Sequence, residues 1–600
     1  MTFSTKTFIL PVIILLLISG FWVSTEFQEI AAGVAIFLFG MLMLEDGFRL
    51  FSGGFLERIL ERATRSVPRS LAFGVVTTTI MQSSSLVSVI TISFLSAGLI
   101  SLLAGIGIIF GANLGTTTGA WLVAGFGMKV NISAYAMPLL ALGVVFVFQK
   151  SKYLKGTGYV LAGLGFLFLG IHYMKEGFET FKDTIDLTQF ALGGLLGLIV
   201  YTLIGTLATV VMQSSHATMV LTISALAAGQ ITYDNALALA IGANVGTTIT
   251  AIIGSLTANY QGKRLALAHL AFNIATAAVA LALISPLRDV VDLISSWVGI
   301  APDDFTLKLA VFHTVFNALG IALMLPLMRR LIAVIERIIH EPKRDLSQPK
   351  FLSEAVDEFP ATIEIAMQKE VLHLYDNAVE LITHGLNLHR HELFEAKDIE
   401  ALVKTSRSEV EFDIDERYEQ RIKTLYSAIV EFATRATGRE LPPDVVARVY
   451  QLRDVSERIV RAVKATKHLR RNATRYTQTQ HGATTDLYNG LRTQIARILV
   501  EINQFEAIDP EERSRLRLDE ELVVIDTEYH KTNSMIETMI REERVTASVA
   551  TSFLNDSNYA YKIMRELLEA ARDYYTDRDD ALSEVEQILA MEEDDTKTVT

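Results

Sequence analysis

Charged side chains nearly vanish from the first 340 residues of this chain, and that thinning limits its folds more than any other feature. Those 340 residues hold 19 Lys and Arg against 16 Asp and Glu, whereas the remaining 260 of the 600 hold 35 against 51. So sharp a break means two solvents, lipid for the first part and water for the second. A wholly water-soluble chain is excluded. The formal charge of −13 therefore sits on the water-facing part and argues against nucleic acid as a partner. With no cysteine, a disulfide scaffold, thiolate metal sites and thiol catalysis are also excluded.

Thr7 to Val23 form a first apolar run behind Lys6, read as a retained span because no small-x-small cleavage site follows. Eleven further runs follow, at about 31–44, 71–81, 86–100, 102–126, 132–148, 157–174, 191–212, 217–229, 236–256, 265–286 and 309–328. Several fall short of the roughly 20 helical residues that a bilayer core requires. Lys and Arg collect in cytoplasmic loops, which places Arg49, Arg58, Arg62, Arg65 and Arg69 inside, with Lys150, Lys152, Lys155, Lys263 and Arg264. Arg329, Arg330, Arg337, Lys343 and Arg344 put the hydrophilic C-terminal part inside as well. The connections bearing Glu176, Glu179, Asp183 and Asp186, and Asp289, Asp292, Asp303 and Asp304, face outward.

The lipid-facing part is duplicated. Gly40 through Asp46-Gly47-Phe48 recurs as Gly170 through Glu176-Gly177-Phe178. Met81-Gln82-Ser83-Ser84-Ser85 recurs as Met212-Gln213-Ser214-Ser215-His216, and Gly111-Ala112-Asn113-Leu114-Gly115-Thr116-Thr117 as Gly242-Ala243-Asn244-Val245-Gly246-Thr247-Thr248. The last two pairs share one register, and the first departs from it by a single position. The loop after Gly47 is rich in Arg while its counterpart after Gly177 is acidic, so the two copies are expected to cross the membrane in opposite senses. That is an inverted-topology repeat, the arrangement that exposes one central site alternately to each side.

Within each copy a Thr/Gln/Ser cluster interrupts an apolar run, at Thr77 to Ser85 and at Thr209 to His216. Consecutive hydroxyl residues favour helix ends and turns, which predicts a helical hairpin or a broken helix. Non-helical backbone at that depth must be buried in protein or line a wet cavity, so the two clusters are expected to meet at the centre. Uncharged hydroxyl and amide groups suit a dehydrated anion and a sodium ion. The candidate binding residues are Gln82, Ser83, Ser84, Ser85, Gln213, Ser214, Ser215 and His216, with Asn113, Thr116, Thr117, Asn244, Thr247 and Thr248 as a second layer.

These residues resemble the type II sodium/phosphate cotransporter family, through Phe37-Leu38-Phe39-Gly40-Met41, the two Gln-Ser-Ser motifs and both Gly-Ala-Asn motifs, over about residues 33–320. The resemblance implies sodium-coupled movement of inorganic phosphate, with Gln82 to Ser85 and Gln213 to Ser215 lining the site. His216 departs from the pattern, standing where the family has a third serine. It removes a hydroxyl ligand and admits either proton sensitivity or a hydrogen-bonded packing role. His269-Leu270-Ala271-Phe272-Asn273 and His313-Thr314-Val315-Phe316-Asn317 are a further echo, each with His and Asn on one helical face. They read as intramembrane polar pairs, with a structural role preferred.

Beyond a linker at 341–359, amphipathic helices are expected at about 360–393, 398–437, 444–471, 485–507, 510–541 and 546–575, an up-and-down bundle. The bundle looks like a PhoU domain, a cytoplasmic phosphate-regulatory fold. Such bundles carry metal on Glu-x-x-x-Asp pairs, a spacing found at Glu409/Asp413 and Glu411/Asp415, although Arg461 stands where another acid would be needed. Solvated acids are the preferred reading there. Residues 576–600 form an acidic tail read as disordered.

The whole is thus read as all-α. An N-terminal span (1–30) precedes repeat 1 (31–130), a connecting span (131–162), repeat 2 (163–260) and additional spans (261–340). The linker, a cytoplasmic PhoU-like bundle (360–575) and the tail follow. The function read from this is secondary transport in the inner membrane, not enzymatic, with sodium as coupling ion, no other cofactor, and phosphate, sodium and the bilayer as partners. A homo-oligomer or a cytoplasmic regulatory partner is compatible with it. A phosphate exporter or proton-coupled anion carrier of the same fold is the alternative, and a membrane-anchored signalling scaffold is the alternative of another class. No Gly-x-x-x-x-Gly-Lys-Ser/Thr loop supplies ATP and no Gly-x-Ser-x-Gly supplies a hydrolase nucleophile.

Overall fold

The computed structural model describes residues 14–15, 18–22, 24–51, 64–127, 132–184, 193–341, 347–439, 441–478, 482–509 and 512–575. The expected tail at 576–600, most of the run at 7–23 and part of the linker lie outside them. Helices are the only regular structure among the described residues. The chain divides into two compact units, residues 1–341 with 353–355, and residues 342–352 with 356–600.

The first unit contains α1 (Thr25–Phe51), α2 (Val67–Met81), α3 (Ser84–Ser96), α4 (Leu102–Trp121), α5 (Ile132–Val147), α6 (Lys152–Thr184), α7 (Gly194–Met212), α8 (Ser215–Ala227), α9 (Tyr233–Ser255), α10 (Tyr260–Ala282), α11 (Ile284–Trp297), α12 (Phe305–Met324) and α13 (Met328–Ile338). Seven of these, α1, α4, α6, α7, α9, α10 and α12, are long and apolar enough to cross a membrane. By contrast α2, α3 and α8 have only 15, 13 and 13 residues. At a rise of 1.5 Å per residue they reach roughly 20 Å, short of a hydrocarbon core of about 30 Å.

Helix association in lipid gains little from the hydrophobic effect, so small residues must bring backbones close enough for dispersion contacts. Two seams do so. Along α1 and α6, Gly33, Gly40 and Gly47 meet the carbonyls of Gly170, Gly163 and Gly156, a heptad-spaced match between antiparallel helices. Within each copy of the repeat, the helix before the polar cluster packs on the Gly-Ala-Asn helix through the same glycines. A Cβ on Gly111 would land on the carbonyl of Leu71, and one on Gly242 on the carbonyl of Thr202. Leu71 and Thr202 occupy equivalent places in the two copies, as Gly111 and Gly242 do.

At the end of this unit Arg264, only 5% exposed, donates from Nε to the Ile339 carbonyl at 3.0 Å and lies 3.6 Å from Glu336. The residue read as a loop marker thus also fastens α10 to α13.

The second unit contains α14 (Pro360–Gly385), α15 (Arg390–Glu395), α16 (Ile399–Thr405), α17 (Ile414–Arg417), α18 (Thr424–Thr437), α19 (Pro443–Gln478), α20 (Ala483–Glu506), α21 (Arg515–Arg541) and α22 (Ala547–Tyr575). Long α19 packs against α14, α18, α20 and α22. Three of the expected helices are shorter than the sequence suggested, the one at 510–541 only in that it begins at Arg515. The first stops at Gly385, because Asn387 turns the chain with φ +58°. The stretch at 398–437 is broken by non-helical residues 406–413. Arg492 explains both breaks. Its guanidinium is completely buried and donates to the carbonyls of Leu386 (2.8 Å), Val403 (3.1 Å), Asn387 (3.4 Å) and Ser406 (2.8 Å), and to Asn489 Oδ1 (2.9 Å). Carbonyls released by helix endings thereby satisfy a cation whose pKa burial has pushed down to about 10.

Candidate functional site

The site is built on two helix breaks of matching geometry. α2 ends at Met81, Gln82 adopts φ 52° and ψ 23°, Ser83 is extended, and α3 begins at Ser84. α7 ends at Met212, Gln213 adopts φ 52° and ψ 25°, Ser214 is extended, and α8 begins at Ser215. A left-handed glutamine is uncommon and costs roughly 1–2 kcal/mol, so its occurrence at both equivalent positions marks a constrained feature. The following serines are N-caps: Ser83 Oγ accepts from the Leu86 amide (3.2 Å) and Ser214 Oγ from the Ala217 amide (3.1 Å). Both α3 and α8 therefore open at the site with N-terminal amides, which favour negative charge.

Both breaks border one cavity of about 290 Å³. Gln82, Ser83, Ser84 and Ser85 line it together with Thr116 and Gln213, Ser214, Ser215 and His216, completed by Leu38, Met41, Leu42, Glu45 and Met212. A single water needs only about 10–15 Å³ by such a measure, so the space admits a tetrahedral oxyanion with attendant waters or a cation. Gln82 is oriented by its amide, which donates to the Thr79 carbonyl at 2.5 Å and to Thr118 Oγ1 at 3.1 Å. Ser214 Oγ donates to Met41 Sδ at 3.5 Å. Thr250 Oγ1 donates to Ser85 Oγ at 3.3 Å, joining the first cluster to α9.

Of the second layer, only Thr116 reaches the cavity wall. Thr116, Thr117, Thr247 and Thr248 donate to carbonyls of their own helices at 2.8–3.0 Å. Asn244 turns away to α12, donating to Asn317 Oδ1 at 2.7 Å and meeting His313 Nε2 at 3.1 Å. The intramembrane His and Asn share a local form, with Asn273 and Asn317 donating to the carbonyls of His269 (3.1 Å) and His313 (2.8 Å). Sequence reasoning missed Glu45 and the contacts of Thr118 and Thr250. Glu45 carries a legible signal, an ionisable group at the end of an apolar run. Nothing in the local pattern of Thr118 and Thr250 distinguishes them from neighbouring threonines.

In the second unit, Glu409 and Glu411 fall in the non-helical stretch, so their spacing from Asp413 and Asp415 does not share a helix face. Glu409 lies 3.4 Å from Arg470, Asp415 pairs with Lys467, and Asp413 caps α17 by accepting from the Asp415 (2.8 Å) and Glu416 (3.0 Å) amides. Among the described residues no group of three or more His, Asp or Glu is gathered to hold a metal.

No solved structure matches the chain. YjbB of Salmonella typhimurium, whose name assigns it provisionally to inorganic phosphate export, is 26% identical over 417 residues, covering 69% of this chain and 72% of that protein. Its Escherichia coli K12 namesake is 25% identical, covering 71% and 74%. The uncharacterized YqeW of Bacillus subtilis is 29% identical, covering 51% of this chain and 95% of its own length. The sequence model of the family described as Na+/Pi-cotransporter matches residues 36–176 and 197–310, spanning both glutamine breaks and the cavity they line.

Proposed function

We propose that this protein is a secondary transporter that carries inorganic phosphate across the inner membrane in company with sodium. The observation that carries the reading is the pair of left-handed glutamine breaks lining one cavity. Amide and hydroxyl donors, with two helix N-termini, suit an oxyanion, while hydroxyl and carbonyl oxygens suit a small cation. The family model and the YjbB relatives support phosphate as the cargo. The duplicated motifs in one register, the opposed loop charges and the antiparallel glycine seam of α1 and α6 support an inverted repeat, which provides alternating access. Loop charge supports a cytoplasmic position for the second unit, and on this reading it is a PhoU-like regulator of the flux.

Purified protein in liposomes tests this. Radiolabelled phosphate should move only when a sodium gradient is imposed, and movement indifferent to sodium refutes the coupling. Removing residues 345–600 should leave flux intact and alter only its regulation. A second reading, export, is favoured by the YjbB names. Net efflux from phosphate-loaded vesicles under an inward sodium gradient would establish it. A scaffold without transport predicts no flux in either direction.

A further inference from the structure

The two halves of the cavity are not equivalent, and one of the differences between them lies in a single pair of positions. In the first hairpin, Ser85 meets Thr250 of α9, hydroxyl to hydroxyl at 3.3 Å. The register of the repeat turns Ser85 into His216 and relates Thr250 to Gly119 of α4. Both changes are reciprocal in size: a hydroxymethyl becomes an imidazole, and its threonine partner becomes a glycine. The structure shows why. A Cβ at position 119 would fall on the imidazole of His216, so the ring occupies the space that any other residue there would fill. Phe37 stands on another side with its ring centre 6.4 Å from that of His216. The imidazole is 8% exposed and remains on the cavity wall.

We propose that Gly119 is a positioning residue for His216, and that this glycine–imidazole pair replaces a second copy of the Ser85–Thr250 pair, so that only the first hairpin, whose Ser85 lines the cavity with Thr250 behind it, offers that pair of hydroxyl oxygens to a coupling cation. The inference rests on the transport reading above and deepens it. The chemistry follows from the ligands. A hard cation such as sodium takes oxygen donors, and two facing hydroxyls supply them, whereas an imidazole nitrogen suits it poorly. At the His216 end the ring is instead placed to hydrogen-bond the oxyanion. A site derived from duplicated halves thereby becomes one-sided, with cation and anion assigned to different ends.

A mutant cycle in proteoliposomes tests both parts. Gly119→Ala should raise the KM for phosphate on the order of tenfold by displacing the ring, but less than about twofold when introduced into a His216→Ser background, where nothing fills the space. Equal effects in both backgrounds would overturn the positioning role. The double variant Gly119→Thr/His216→Ser rebuilds a hydroxyl pair at the second end, and the Hill coefficient for sodium should rise by about one over the wild type. An unchanged coefficient in an active double variant would overturn the one-ended cation site. Should the double variant be inactive, Gly119→Ser/His216→Ser, with a smaller hydroxyl at 119, gives the same readout. The wild-type protein separates the two failures: absence of sodium-dependent phosphate flux there refutes the functional reading itself, whereas the cycle compares variants within that flux.

Discussion

At the residue scale, the proposed site rests on side chains whose backbone is already committed. Gln82 and Gln213 hold φ of 52° because helix, break and helix must fit within two residues. Alanine there would mix loss of the amide with backbone strain, whereas glycine adopts that conformation freely. Gln82→Gly and Gln213→Gly should therefore leave the amount of folded protein near wild type and cut phosphate flux at least about tenfold, the cost of roughly 1.5 kcal/mol for one hydrogen bond to a charged ligand. Flux assayed at matched protein density decides it. In the second unit Arg492 has the converse role, a structural one. Arg492→Met leaves carbonyls of Leu386, Val403 and Ser406 buried without a donor. Destabilisation of at least about 3 kcal/mol is expected, visible as faster hydrogen exchange at the ends of α14 and α16.

At the element scale, the architecture depends on how closely pairs of helices approach. The contact of α7 with α9 is fixed by Gly242 against the Thr202 carbonyl, as that of α2 with α4 is by Gly111 against Leu71. Backbone cannot yield as a flexible side chain does. Gly242→Ala should force α7 from α9 at a cost of about 1–3 kcal/mol or more and carry the Gln213 break with it. Reduced yield of folded protein, with flux per molecule lowered in what remains, is the expected result in a membrane-fraction and liposome assay. Element boundaries were less legible than element existence. Periodicity marked an amphipathic stretch at 398–437, yet residues 406–413 leave the helix because Arg492 and Arg470 supply donors to carbonyls in and beside that stretch from distant parts of the chain. No local pattern carries that information.

At the scale of the whole molecule, the reading depends on the two copies crossing the lipid in opposite senses. The chain has no cysteine, so single cysteines report sidedness without background. Thr180→Cys, after the second-copy Gly-Phe, should react with a membrane-impermeant maleimide added to intact cells, and Ser66→Cys, after the first-copy counterpart, only once the membrane is opened. Both positions are exposed at their side chains. Labelling of both from one side would mean parallel copies and would remove the alternating-access argument.

The amino-acid sequence by itself determined the division between lipid and water, the all-helical character, the duplication and the identity of the two glutamine–serine clusters. Those properties follow from composition, spacing and repetition, which are written along the chain. Tertiary structure alone decided that both clusters line one cavity, that Thr116 reaches it while Asn244 is drawn off to His313 and Asn317, and that Gly119 makes room for His216. The physical reason is separation along the chain: Gly119 closes the first copy of the repeat and His216 lies deep in the second. Whether such side chains meet is settled by the packing of the helices that carry them, which no local signal encodes.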